Sequence, residues 1–333
     1  MSTLSRIFKQ PRYRHMAVSI TVLVALLSAG CGSGAAATGS ASLEKTNLTI
    51  ATVPAASSAG LYVAQHDGFF RQAGLNVRIV NVGSAAGGVT TSLLNGSIDV
   101  LDGGYAGFID AQVHGAGRFH ILADGYAGAP GVDEIVVLPW SGITSPQQLK
   151  GRTIAVNGLD SIAALLVSSA LESQGVPPSR VHLVAMPFPA MPAALKAHRI
   201  DAAYLPEPFL SEAEIQLGGE ELIDINEGAT QNFPIDGYVA TVDWCQRYPK
   251  TAAAVAQAID RGQAIADVNR PMVESVLHTY TTINEQTAAI MALGDFPTRV
   301  SAVHLQRVPD LMQSFGQLKQ RFNIASMTNP VRS

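Results

Sequence analysis

The chain has 333 residues, 22 basic and 26 acidic, with a net charge of −4 and only 14% charged residues, well under the usual fraction of about a quarter. Nucleic acid is excluded as the natural partner, because neutralising phosphates needs clustered Lys and Arg. Two cysteines, Cys31 and Cys245, exclude a disulfide-stapled scaffold, so stability must come from a buried core.

The chain opens with Arg6, Lys9, Arg12 and Arg14, continues with an uncharged apolar run over 16–29, and reaches Leu27-Ser28-Ala29-Gly30-Cys31. Basic, apolar, then small is the order of a secretory leader. The run is shorter than the roughly 20 apolar residues that span a bilayer. Residues 1–30 resemble a bacterial lipoprotein signal peptide, with the leucine four positions before the cysteine instead of three. That resemblance implies a lipid on Cys31 and an extracytoplasmic body anchored to the outer face of the cell membrane. Residues 31–45, rich in Gly, Ala and Ser, read as a flexible tether. Removing the four leader cations, with no acid lost, leaves 18 basic against 26 acidic residues, or −8. The remaining residues, about 290, suffice for two lobes of ordinary domain size.

Strand-like runs then alternate with helical ones, the pattern of an α/β fold with mostly parallel sheets. Residues 48–53, 76–82 and 98–101 read as strands, with helices over 60–72 and 89–94. A second set follows, with strands over 134–138, 153–156, 181–185 and 201–205 and helices over 161–174 and 190–198. From Trp244 onward the chain reads as mainly helical. It ends in an amphipathic stretch over 301–319 with Val303, Leu311, Phe315 and Leu318 on one side. This gives lobe 1 as 46–130 plus 240–330 and lobe 2 as 131–239. The segments Asn95-Gly96-Ser97-Ile98-Asp99-Val100 and Ala197-His198-Arg199-Ile200-Asp201-Ala202 echo one another, each a helix end, a polar turn, Ile-Asp and a strand.

In open parallel sheets, ligands sit beyond the carboxyl ends of the strands, where helix N-termini offer unpaired N–H groups. Those loops supply the candidate ligand-binding residues. In the first lobe they are Ser57 and Ser58, Gly83 and Ser84, then Asp102, Gly103 and Tyr105. In the second they are Asn157, Gly158, Asp160 and Ser161, then Phe188, then Glu207, with Tyr238 as a further aromatic wall beside Tyr126 and Phe209. The loops carry no Lys or Arg, whereas Asp102, Asp160 and Glu207 are acidic. A neutral or cationic organic ligand therefore fits better than an anion. Glu207 has a second reading as a helix N-terminal residue.

Several segments together resemble the sulfonate, nitrate, taurine and thiamine-precursor family of substrate-binding proteins. They are Leu48-Thr49-Ile50, Pro54-Ala55-Ala56-Ser57-Ser58, Leu61-Tyr62-Val63-Ala64, Gly68-Phe69-Phe70 and Gly74-Leu75, then Gly96-Ser97-Ile98-Asp99-Val100, 149–156 and Glu207-Pro208-Phe209. The resemblance implies a two-lobed periplasmic-binding-protein type II fold with two hinge crossings, closing over a small organic ligand that the permease subunits of an ABC transporter receive. Asp102 and Asp160 depart from the family pattern. A monomer without cofactor, metal or catalytic residues is expected. The rivals are an accessory lipoprotein that senses a ligand for a membrane receptor and, in one branch of the family, an enzyme that makes a thiamine pyrimidine. That branch carries a cysteine-rich iron site, for which this chain offers only Cys245 after its lipid cysteine. The eight histidines are scattered, with no pair four apart.

Overall fold

The computed structural model describes residues 42–83 and 88–329. The leader, the tether up to residue 41, Cys31 and Ser84 lie outside the described residues. Among the described residues, ten strands form two five-stranded sheets. The first contains β1 (Asn47–Thr52), β2 (Asn76–Asn81), β3 (Val100–Gly104), β4 (Phe119–Ala127) and β10 (Pro234–Thr241). The second contains β5 (Asp133–Val137), β6 (Thr153–Val156), β7 (His182–Ala185), β8 (Ala202–Pro206) and β9 (Glu220–Asp224). Their strand orders, β2-β1-β3-β10-β4 and β7-β6-β8-β5-β9, are the same design used twice. The chain crosses from the first sheet to the second between β4 and β5 and returns between β9 and β10.

Helices cover the sheets. They are α1 (Ala59–His66), α2 (Phe69–Gln72), α3 (Gly88–Leu94), α4 (Tyr105–Val113), α5 (Ile162–Ser173), α6 (Met191–Lys196) and α7 (Phe209–Leu217). The chain closes with α8 (Val242–Arg247), α9 (Pro249–Ala266), α10 (Arg270–Leu277), α11 (Glu285–Ile290), α12 (Ala302–Leu305), α13 (Arg307–Ser314) and α14 (Ala325–Thr328). No helix among the described residues is long and apolar enough to cross a membrane. Strands covered on both faces must be apolar throughout: every residue of β5, with its Ile135-Val136-Val137, is buried, as are Ala202 to Leu205 of β8.

The echo between the two Ile-Asp segments is a repeated structural device. Asp99 Oδ2 accepts a bond from Thr49 N at 2.9 Å, and Asp201 Oδ2 accepts one from Thr153 N at 2.8 Å. Each aspartate thereby ties the start of its own strand to the start of the neighbouring parallel strand, and each gains a cation, Lys45 at 2.5 Å and Arg152 at 3.2 Å.

Each sheet is mostly parallel with one reversed strand: β1 pairs in parallel with β2 and β3, and β6 with β7 and β8, while β10 and β5 run antiparallel to their neighbours and four of the five strands in each sheet share one direction. Three expectations need correction. The strand read over 98–101 starts later and extends through Gly104, so Asp102 and Gly103 belong to β3 itself. The helix read over 60–72 is two, because Gly68 at φ +71° takes the left-handed conformation between α1 and α2. In the amphipathic tail, Val303 is 87% exposed, whereas Leu311, Phe315 and Leu318 pack on the core beside Leu305, Val308 and Met312. There α13 packs on α4 and α14 on β4, both in the half that contains the first sheet.

Candidate functional site

The carboxyl ends of β1, β3, β6 and β8 converge from both sheets on one cavity. β1 delivers Val53 and the short turn carrying Ser57 and Ser58; β3 delivers Asp102 and Gly103; β6 delivers Asn157; and β8 delivers Pro206 and Glu207. The antiparallel strands run the other way, so it is their first residues that reach the same rim: Asp133 opens β5, and Ile235 and Asp236 stand near the start of β10. Tyr126, Phe188 and Tyr204 complete the wall. Phe188 stacks on Phe209, with ring centroids 5.7 Å apart, and leans on Tyr204 at 6.1 Å.

The two halves touch across this cleft. Ala56 N donates to Glu207 O at 3.0 Å. A Cβ on Gly104 would sit 2.9 Å from Ile162 at the first turn of α5, so glycine there is what lets the helix start approach β3. Ser161 caps that helix, accepting from Ala164 N at 3.3 Å while its hydroxyl donates to Gly158 O at 2.6 Å. Gly158, Asp160 and Ser161 line a neighbouring cavity with Thr90, Thr91 and Asp110. It shares Gly104, Asn157 and Ile162 with the first.

Of the sequence-predicted residues, Ser57, Ser58, Asp102, Gly103, Asn157, Phe188 and Glu207 thus surround the first cavity, and Asn157, Gly158, Asp160 and Ser161 the second. Tyr105 and Tyr238 are fully buried and line neither cavity. The Tyr105 hydroxyl donates to Asp124 Oδ1 at 2.5 Å. Gly83 is exposed beyond β2, away from the cavities. Cys245 is buried, and burial pushes its thiol up to about 12, so it stays protonated and unreactive.

Acids dominate the electrostatics of the first cavity. Asp102, Asp133, Glu207 and Asp236 are all buried in its wall, Asp124 is buried behind it, and the lining contains no Lys or Arg. Burial disfavours the charged form of each. It pushes Asp102 up to about 7, against the pull of hydroxyl bonds from Thr52 and Ser58. Glu207 rises to about 7 by burial, although Ser211 N and Oγ hold both its oxygens at 3.2 and 2.8 Å. Glu207, one residue before the N-cap Pro208, therefore accepts from a first-turn N–H of α7 and favours the helix N-terminus, the second of its two sequence readings. Burial takes Asp133 to about 6, opposed by Tyr204 Oη at 2.9 Å and Asn226 Nδ2 at 3.4 Å, and takes Asp124 to about 6. Asp236 is held well above the usual carboxylate range by burial first and the nearby Asp102 next, with Ser57 pulling the other way.

Sequence reasoning missed Asp133, Asp236 and Tyr204. It inspected only the loops after parallel strands. An acid at the start of a strand that runs antiparallel is the signal that would have found the first two.

The family model described as "NMT1/THI5 like" matches residues 55–271. The chain is 28% identical over 257 residues to the bicarbonate transport ATP-binding protein CmpC of Synechocystis, covering 69% of this chain and 37% of that protein, so it spans well under half of that relative. Among solved structures it is similar to the alkanesulfonate-binding protein SsuA of Xanthomonas axonopodis pv. citri bound to MOPS, with TM-score 0.71, 18% identity, and 86% and 99% of the two chains covered. It is similar also to the periplasmic nitrate-binding protein NrtA of Synechocystis PCC 6803, with TM-score 0.73, 17% identity and 87% of each chain covered. These likenesses identify the fold: two mixed sheets flanked by helices, as in periplasmic binding proteins.

Proposed function

We propose a function from the premise that the chain belongs to the NMT1/THI5-like family: it is an extracytoplasmic solute-binding protein that captures a small organic nutrient between its two sheets and delivers it to an ABC importer. The observation that carries this reading is the cavity built from strand ends of both sheets, with aromatic walls and buried acids. Concave, mostly apolar sites with a few convergent polar groups are where small ligands bind. The names of the similar proteins, which bind an alkanesulfonate or nitrate or serve bicarbonate transport, support a solute-transport role.

The proposal includes a monomer whose lobes, 46–130 plus 240–330 and 131–239, close on the ligand about the two crossings. It includes a lipid anchor on Cys31. It includes Ser57, Ser58, Asp102, Gly103, Asn157 and Phe188 as ligand-facing residues, with Glu207 acting through the start of α7. An acidic wall without a basic counterpart favours a nitrogen-bearing organic compound, a thiamine-precursor pyrimidine ahead of an alkanesulfonate.

A thermal-shift screen of pyrimidines, polyamines, amino acids, sulfonates and nitrate tests the reading. A compound that binds only the folded protein, at 100 times its dissociation constant, adds about 2.7 kcal/mol. For a chain of this size that is a rise of about 4 °C. A screen in which no compound raises the melting temperature would sink the solute-binding reading.

A further inference from the structure

Two of the cavity's acids differ from the rest. Asp133 and Glu207 have partners on both oxygens. Asp102 and Asp236, 3% and 9% exposed, each have a buried Oδ1 with no hydrogen-bond partner. Asp102 Oδ2 is fixed by Thr52 Oγ1 at 2.7 Å and Ser58 Oγ at 3.1 Å, which leaves Oδ1 as its one open acceptor.

The ladder register explains why the two stand together. In the antiparallel pair β3–β10, Asp102 lies opposite Tyr238 and Gly104 opposite Asp236. Residues two apart on a strand share a face. Asp236 is therefore the diagonal neighbour of Asp102 on one face of the sheet, roughly 7–8 Å away. Both line the same cavity, opposite Phe188 and Asn157 from the second sheet.

We infer that Asp102 and Asp236 are a paired recognition element for a planar, positively charged amidinium group of the ligand, which donates one N–H to each open Oδ1. The inference rests on the solute-binding reading above and adds the ligand's charge and the residues that select it. A buried acceptor without a partner is costly, and a ligand with two N–H donors removes that cost at both aspartates. Charge-assisted bonds of this kind are the stronger ones. A sulfonate would add a further anionic group to a wall that has no cation to offset it. Burial keeps both aspartates toward their protonated forms while the cleft is empty, and a bound cation draws them toward ionisation.

Calorimetry with three rings of nearly the same shape, benzamidine, benzamide and benzenesulfonate, tests this. The wild-type protein is expected to bind benzamidine at least tenfold more tightly than either of the others. Asp102→Asn and Asp236→Asn should each remove that preference. Benzenesulfonate binding as tightly as benzamidine, or a preference that survives both substitutions, overturns the inference. Should a variant fail to fold, the wild-type order of the three rings decides alone. If none of the three binds although another screened compound raises the melting temperature, the paired-aspartate inference falls and the solute-binding reading stands. If nothing binds at all, both fall.

Discussion

The ligand-free protein is expected to melt on the order of 10 °C lower at pH 8 than at pH 5. The cause is the buried acid cluster. Burial raises Asp102 and Glu207 to about 7 and Asp124 and Asp133 to about 6, whereas in the unfolded chain such groups titrate near 4. Between pH of about 4 and 7 the native state therefore holds protons that the unfolded state has released. By linkage, stability falls as pH rises wherever the native state binds more protons. A tenfold difference in proton affinity between the folded and unfolded chain corresponds to about 1.4 kcal/mol, so the cluster together changes stability by several kcal/mol. Its contribution is fully present below about pH 4 and lost once pH has passed about 7. The half-buried His120, lowered by burial, acts in the opposite sense as pH falls; as a single, partly exposed group it offsets only a fraction. Scanning calorimetry at pH 5, 6, 7 and 8 measures the trend. A melting temperature that stays flat or rises across that range would contradict the assigned burial of these acids.

Gly262→Ala should destabilise the protein by about 3 kcal/mol, an overpacking cost, even though alanine is favoured over glycine in a helix interior by about 1 kcal/mol. A Cβ at that place in α9 would collide with Gly60 O and lie within 2.9 Å of Ala64 N. Both obstacles are backbone of α1, so neither can turn away. The effect reaches the cleft, because the neighbouring Gln263 donates to the carbonyls of Asp124 and Gly125 on β4. Moving α9 outward would loosen the strand that carries Tyr126. Gly60→Ala is the informative contrast: its Cβ would meet the buried Gln263 side chain rather than a helix backbone, so its cost should come from displacing the bonds that side chain makes to β4. Urea denaturation of the three proteins gives the values. A midpoint for Gly262→Ala equal to or above wild type would show that α1 and α9 do not pack this closely.

Much of the α/β reading was legible because β1, β2, β6 and β8 are short apolar runs bounded by Gly, Pro and polar turns, and because α5 begins at a capping Ser161. The antiparallel members were not. Pro234-Ile235-Asp236-Gly237-Tyr238 carries Pro, Asp and Gly, which read as turn residues. They are tolerated in β10 because Gly237 leaves room for the Tyr105 ring beneath it, where a Cβ would collide with the hydroxyl. Phe119 to Ala127 gives no alternation, since seven of the nine residues of β4 are buried, and period-2 reasoning fails for a strand covered on both faces.

The candidate site divides along the same line. Asp102 was visible as an acid at the end of a parallel strand. Asp236, its diagonal partner, depends on a pairing between residues more than 130 positions apart, which no local pattern encodes. Glu207 shows the converse. Its acidity was evident in the sequence, but only the structure shows both oxygens taken by Ser211.

A crystal structure of the protein with the compound that raises its melting temperature most tests the central claim directly. The account predicts that compound in the cavity between the two sheets, with N–H groups within hydrogen-bond distance of Asp102 Oδ1 and Asp236 Oδ1. A compound bound outside that cavity, or one whose anionic group sits at the start of α5 with both aspartates untouched, would contradict it.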